Sequence, residues 1–272
     1  MNSHKKNYPE GAKIKKPFSV VLLTAAAGVL AIPLLILVIK KLVDLVTGDL
    51  ETFISTIRLL GQGFGFSFGI FFFTIIFSLP LGLIVAAGKM SKIKTISAFF
   101  KVYVSVLRGT PLMLQLLLVY FGPYYLFGIS TGSIEIGPFN FRFIASIIGF
   151  SLNYAAYFAE IFRGGLQSMP KGQYEAAQVL GFSKMQTYFK IILPQVVKRV
   201  LPSVGNEVIT LVKDTSLAQV LAVTEMFTQA SALASAQVSV MPFIVAGLFY
   251  YLMNFIIESL LGFIEKYMNY YS

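Results

Sequence analysis

Residues 170–194 read PKGQYEAAQVLGFSKMQTYFKIILP, and this polar stretch, set between apolar runs, decides how the chain is read. Pro170 suits the start of a short helix, because the missing N–H is one that a first turn does not use. Gly181 then breaks the helix, as a glycine past a helix C-terminus commonly does. Ser183 and Gln186 have the spacing of a capping box that starts a second helix. On that helix Met185, Tyr188, Phe189 and Ile192 follow the i, i+3, i+4, i+7 rule, and Pro194 is expected to stop it. The segment 163–199 is therefore predicted as helix–glycine–helix with one apolar stripe. Two readings of the stripe are open on composition: an interfacial helix lying on lipid, or a docking face for a groove on another protein.

The flanks say where this segment lives. Of 272 residues, 56% are hydrophobic and only 12% charged, with a mean hydropathy of +0.76. A soluble domain carries roughly 25% charged residues, so the chain is read as an integral membrane protein. About 20 apolar residues cross a bilayer as a helix. Runs of that order cover Phe18–Ile39, Leu59–Ala87, Thr95–Phe127, Phe143–Phe162, Val200–Val223 and Met241–Ile264. The first is longer than the roughly 7–15 residues of a signal-peptide core and is read as a retained helix. The expectation is an all-α membrane protein with about six transmembrane helices.

Charge gives the orientation. Lys5, Lys6, Lys13, Lys15 and Lys16 precede the first run; Lys89, Lys92, Lys94 and Lys101 follow the second; Arg163, Lys171, Lys184, Lys190, Lys198 and Arg199 lie in the segment 163–199. The opposite side holds Lys40, Lys41, Arg58 and Arg142 beside Asp44, Asp49, Glu51, Glu135 and Glu225. Positive loops stay in the cytoplasm, which puts both termini inside. The net charge of +10 is thus explained by topology, and nucleic-acid binding is not needed to account for it. A basic tail over 1–17, a first span over 18–39 and a transmembrane domain over 59–265 complete the expected organisation. Gly61, Gly65 and Gly69, four apart on one face, are expected to let another helix approach closely.

Several chemistries are excluded. There is no cysteine, and the one histidine, His4, sits in the lysine-rich tail, so a Ser-His-Asp triad or a thiolate site within the membrane cannot be built. No metal site and no bound cofactor is expected. A Gly-x-x-x-x-Gly-Lys-Ser/Thr phosphate loop is also missing, so the chain is expected to carry no ATPase of its own.

Glu175-Ala176-Ala177, then Gly181, then Ile192-Leu193-Pro194 resemble the EAA loop of permease subunits in ABC-type importers. Leu107-Arg108-Gly109-Thr110-Pro111-Leu112, the run from Ser151 to Gly165, Gly172-Gln173 and Lys213-Asp214-Thr215-Ser216-Leu217 resemble the polar amino acid branch of that family, in the family's order. The resemblance implies a five-helix permease core preceded here by one extra span, in the plasma membrane of a prokaryote. It implies that two permeases, identical or paralogous, form the pathway. Each would seat one subunit of a cytoplasmic ATPase dimer, which binds the ATP and Mg, on its EAA loop. An extracytoplasmic binding protein would deliver the amino acid. Glu175, Ala176, Ala177, Gly181, Ile192, Leu193 and Pro194 are then the coupling residues. One departure is Gly61-Gln62-Gly63-Phe64-Gly65, where a Thr-Leu pair would be expected near Leu60.

Polar groups in apolar spans are costly and mark pathways. Arg108, Gln115, Asn153, Tyr157, Glu160, Lys213 and Asp214 are the candidates, with Glu207 beside them. Lys213 and Asp214 are neighbours that point apart on a helix, so separate partners or a helix break are expected. Thr110 before Pro111 reads as a cap from which a helix restarts. A deep restart would turn its positive end and Arg108 toward a substrate carboxylate, whereas a surface helix would make Arg108 an anchor. Glu160 has the same two options: a substrate contact, or an ion pair with Arg163. A gradient-driven secondary transporter, with Glu160, Glu207 or Asp214 carrying the ion, is the alternative function; a docking loop for an ATPase speaks against it.

Overall fold

A computed structural model describes residues 33, 35–40, 50–131, 134–136 and 139–268. Residues 1–53 and 54–272 form separate compact units. The expected basic tail lies outside the described residues. Of the expected first span, residues 33 and 35–39 are described, and they are helical.

Helix α1, Leu50–Lys89, has 40 residues, about 60 Å at 1.5 Å per residue. It starts nine residues before the apolar run does, because Glu51 in its first turn complements the helix dipole and nothing up to Leu59 breaks the helix. Helices α2 (Lys94–Gly109) and α3 (Leu112–Phe127) follow. The single apolar run from Thr95 to Phe127 thus becomes two helices bent by 113°. A residue before proline is pushed out of the helical region, and Thr110 sits at φ −118°, ψ 150°. The restart falls where the sequence puts it, but Pro111 rather than Thr110 is the residue just ahead of the new helix. Gly128, at φ 67°, closes α3: its N–H donates to the Tyr124 carbonyl, and the N–H of Ile129 to that of Pro123.

A two-residue antiparallel pair, β1 (Glu135–Ile136) and β2 (Phe139–Asn140), precedes α4 (Phe141–Gln167). The Asn140 side chain caps α4 by accepting from the Phe143 N–H. Then come α5 (Lys171–Val179), the single turn α6 (Lys184–Gln186), a π-turn over Thr187–Ile192, and α7 (Leu193–Asp214). A 3₁₀ segment, Thr215–Leu221, leads to α8 (Met226–Gln237) and α9 (Met241–Met268).

Among the described residues, α1, α4 and α9 are long and apolar enough to cross a membrane, with the bent pair α2–α3 as a possible fourth crossing. The expected span Val200–Val223 is not one element. Helix α7 ends at Asp214, and the chain tightens into the 3₁₀ segment before Ala222 takes a left-handed conformation. Helix α4 is central and packs on α2, α3 and α7. Ile70, Leu116, Phe150, Tyr154, Phe158 and Leu211 form the heart of the core. Leu118, Tyr125 and Phe127 on α3, and Leu260 and Phe263 on α9, stay exposed, as lipid-facing or partner-facing groups do.

Among the described residues of this chain, only Gly69 of the glycine stripe meets another helix. Nothing lies within 4 Å of a Cβ placed at Gly61 or Gly65, and at Gly69 only the Phe143 ring is close, at 3.1 Å. The close backbone approach is at Gly63, where a Cβ would sit 2.8 Å from Met226 Cα, and at Gly82, where it would sit 2.8 Å from Phe158 Cβ.

Candidate functional site

The hairpin between α4 and α7 is built by local chemistry. Gly181, at φ +77°, donates to the Gln178 carbonyl while Phe182 donates to that of Ala177. This is the paired bonding by which a left-handed residue satisfies the last carbonyls of a helix. At the next start the Gln186 N–H donates to Ser183 Oγ at 3.3 Å, and the Ser183 N–H donates to Gln186 Oε1 at 2.9 Å. The expected capping box is present.

Beyond it the helix widens into the π-turn, and the apolar stripe lies exposed at Met185, Tyr188 and Phe189 and buried at Ile192, against Met169, Val196 and Val200. Pro194 does not end a helix: it sits in the first turn of α7, which continues from the π-turn without a break. The result is a hairpin whose apolar side chains point outward. Val179 is 88% exposed, Leu180 73% and Met185 66%. Glu175, Ala176, Gly181 and Pro194 are exposed as well, Leu193 is half-buried, and Ala177 packs inward.

The base of the hairpin is braced. Arg199 Nη1 donates to the Ser168 carbonyl at 2.6 Å and to its hydroxyl at 3.0 Å. Gln195 Nε2 donates to Gln173 Oε1 at 3.2 Å. Gly165 lies so close to Val200 that no side chain would fit between them.

The candidates in the bundle fall into three groups. At the α2–α3 corner, Gln115 Nε2 donates to the Leu107 carbonyl at 2.9 Å and to the Thr110 carbonyl and hydroxyl at 3.0 and 2.8 Å. Asn153 Nδ2 donates to the Leu107 carbonyl at 3.0 Å and to Gln115 Oε1 at 2.9 Å. Both amides are buried and satisfy carbonyls that the bend frees. In the second group the exposed Arg108 sits over the Tyr157 ring, 5.1 Å from its centroid. Glu207 on α7 lies within electrostatic range of Arg108 and Asp214. Asp214 accepts from the Tyr154 hydroxyl at 2.7 Å at the very end of α7, and Lys213 beside it points into solvent or bilayer. A separate partner and a helix break are therefore both present.

The third group is Glu160. It pairs with Lys89, and with Arg163 at 2.6 and 3.1 Å. The ion-pair option read from Arg163 thus holds, with a second cation that lies 71 residues away in the chain.

One centre escapes the sequence. Glu225, counted there among outer-side charges, is fully buried. Its carboxylate accepts from Ser67 Oγ on α1, from Tyr250 on α9, and from the Phe227 N–H, the Thr228 N–H and the Thr228 hydroxyl at the start of α8. Glutamate is an uncommon helix cap, so no motif flags it.

Long apolar helices, interior amides and carboxylates, and a braced hairpin with an outward apolar apex have the build of a membrane transport component. Residues 78–270 match the family of binding-protein-dependent transport system inner membrane components, and the chain belongs to it. It is 34% identical over 215 residues to the L-cystine transport system permease protein of Bacillus subtilis (strain 168), covering 78% of this chain and 88% of the relative. To the arginine transport system permease protein of the same organism it is 33% identical over 210 residues, covering 77% and 92%. A crystal structure of an amino acid ABC transporter with histidines superposes with a TM-score of 0.71 at 32% identity, covering 80% of this chain and 98% of that one.

Proposed function

We propose that this chain is the translocation subunit of an ATP-driven amino acid importer. A separate cytoplasmic ATPase dimer binds the ATP and Mg, a second permease copy or paralogue completes the pathway, and an extracytoplasmic binding protein supplies substrate. The chain sits in a prokaryotic plasma membrane with its hairpin and both termini inside. The amino acid transport systems named for its relatives support this reading. The observation that carries it is the hairpin itself, a rigid base under exposed Val179, Leu180 and Met185. Burying such side chains in a partner groove stabilises a complex by about 1.5–3 kcal/mol each.

Within the pathway, Arg108 on its Tyr157 platform would receive the substrate carboxylate, and Glu207 and Asp214 would face its amino group. Gln115 and Asn153 hold the bend that presents Arg108. Lys213 lies at the rim, and Glu160 belongs to the brace below.

The test uses the complex captured from its native membrane through a tag on this chain. Gly181→Pro removes the N–H that bonds Gln178 and forbids a φ of +77°. It and Val179→Asp should each lower co-captured ATPase by about tenfold, the equivalent of 1.4 kcal/mol. Undiminished capture by both variants refutes the docking role. If vesicles holding this chain without an ATPase accumulate radiolabelled amino acids on a sodium or proton gradient, the secondary-transporter alternative is correct instead.

A further inference from the structure

The hairpin can move substrate only if its displacement reaches the helices around the pathway. Its own flanks, α4 and α7, are covalently attached to it; α1 is not. One line of polar contacts crosses that gap. The last residue of α1, Lys89, pairs with Glu160 on α4. One turn on, Glu160 holds Arg163, and Arg163 Nη1 donates to Gln167 Oε1 at 2.5 Å. The next residue, Ser168, accepts from Arg199 on α7. The line runs from α1 through the end of α4 to the start of α7, across both legs of the hairpin base.

Two features make the Lys89 end stiff. Its carbonyl accepts from Ser97 Oγ at 2.8 Å, and Gly88 lies against the Phe100 ring, so α2 clamps the end of α1. The ion pair is shielded: the Lys89 and Glu160 side chains are 17% and 16% exposed. Exposed pairs add little and bend freely, whereas a shielded pair with a second cation resists being opened.

We infer that Lys89 and Glu160 form a strut that ties α1 to the base of the hairpin, so that movement driven by the ATPase is delivered to α1 as well as to α4 and α7. Lys89 is then a positioning residue for coupling. It touches neither substrate nor ATPase, and it is invisible to any docking assay. The inference rests on the docking role proposed above.

The chain has no cysteine, so labels placed in it meet no background of its own. Spin labels at Lys92→Cys, just past α1, and Lys184→Cys, in the hairpin, report the distance across the strut. The probe is the tagged complex with its own ATPase and permease partner, nucleotide-free and then trapped with ATP and vanadate. With Lys89 present the distance should be the same in both states. With Lys89→Met the two states should separate by a few ångströms, as in about 1–2 Å helix shifts or more. Amino acid uptake per ATP hydrolysed should fall by about fivefold or more, a typical inter-site coupling, while co-captured ATPase stays at the unsubstituted level. Lys89→Arg should restore the ratio.

An unchanged ratio and an unchanged distance in Lys89→Met overturn the strut. If Lys89→Met does not assemble, the exchange Lys89→Glu with Glu160→Lys decides: recovered coupling supports the strut, and a complex that assembles uncoupled overturns it. Failure of the docking role shows elsewhere, as ATPase retained by the Val179→Asp chain.

Discussion

Glu225 offers the sharpest energetic test of how the bundle is held. Five donors meet its two oxygens: Ser67, Tyr250 and the Phe227 N–H on Oε2, and the N–H and hydroxyl of Thr228 on Oε1. Two of the five are backbone N–H groups, which can only donate. Glu225→Ala removes every acceptor at once and leaves a hole in a fully buried place, a loss of about 3–5 kcal/mol. Glu225→Gln is more discriminating. Its carbonyl oxygen can take the Oε2 place and keep three donors. Its NH₂ group must then face Thr228, whose hydroxyl can rotate to accept but whose N–H, 2.6 Å from Oε1, cannot. One buried donor is orphaned, at a cost of about 1–3 kcal/mol. Tyr250→Phe removes a hydroxyl that donates to Glu225 at 3.2 Å and also faces Ser67 and Thr215; the bond to Glu225 is worth about 0.6 kcal/mol by the average for hydrogen bonds between membrane helices. Equilibrium unfolding of the purified chain in mixed micelles should rank Ala below Gln and Gln below Tyr250→Phe. A Glu225→Gln chain as stable as the parent, or a Tyr250→Phe chain as damaged as Glu225→Ala, would show that the carboxylate is not what these donors need.

Two more outcomes separate this packing from the simpler one that periodicity suggests. Gly63→Val should destabilise by about 1–3 kcal/mol, because its Cβ meets the Met226 backbone and neither side can yield cheaply. Gly65→Val, with nothing within 4 Å, should be close to neutral in the same unfolding assay, and the reverse order would disprove the contact. At the corner, Gln115→Leu takes the donor from the Thr110 carbonyl and one acceptor from the Asn153 amide, which keeps its bond to the Leu107 carbonyl. Limited trypsin digestion after the exposed Arg108 should then accelerate by roughly tenfold for each 1.4 kcal/mol of local stability lost. An unchanged rate would mean that the proline alone holds the bend.

What could be read from the chain was local. The left-handed Gly181, the Ser183–Gln186 box and the restart at Pro111 each depend on a few adjacent residues, and each stands where the sequence puts it. Pro194 was misread because proline has two meanings, terminator and first-turn residue, which only the following structure distinguishes. The π-turn after Gln186 departs from the 3.6-residue period that a reading of apolar spacing assumes, so the spacing alone does not show it. Long-range facts were out of reach for another reason. That Gly63 rather than Gly61 or Gly65 meets α8 depends on how α1 is rotated. That Glu160 answers Lys89, and that Glu225 is interior, depends on which distant segments come together. The apolar runs located the helices but could not orient them. The run 95–127 could not show its own 113° bend, since its proline forecasts a break and not an angle.

The two carboxylate centres sit at opposite ends of one stretch of α1, and their separation gives that helix a mechanical role. From Ser67, which serves Glu225, to Lys89, which serves Glu160, is 22 residues, or about 33 Å of helix. The hydrocarbon of a bilayer is about 30 Å thick. Between the two, α1 meets α4 through small groups: Gly69 under Phe143, and Gly82 against Phe158 and the Ala155 carbonyl. The hydroxyls of Thr74 and Ser78 are buried there without a hydrogen-bond partner among the described residues. Apolar packing holds that stretch, with Ile70 and Phe71 in the core, but among the described residues no hydrogen bond engages its two buried hydroxyls. Polar attachment is concentrated at its two ends, so a displacement entering at Lys89 would be carried along a stiff helix and leave at Ser67, where α8 begins. Breaking the two ends should therefore give different failures. Loss of Lys89 should leave a stable chain in a complex whose ATPase turns over without transport, whereas loss of Glu225 should lower stability itself. If Glu225→Gln instead uncoupled a chain of normal stability, the Glu225 attachment would be a second strut and not an anchor.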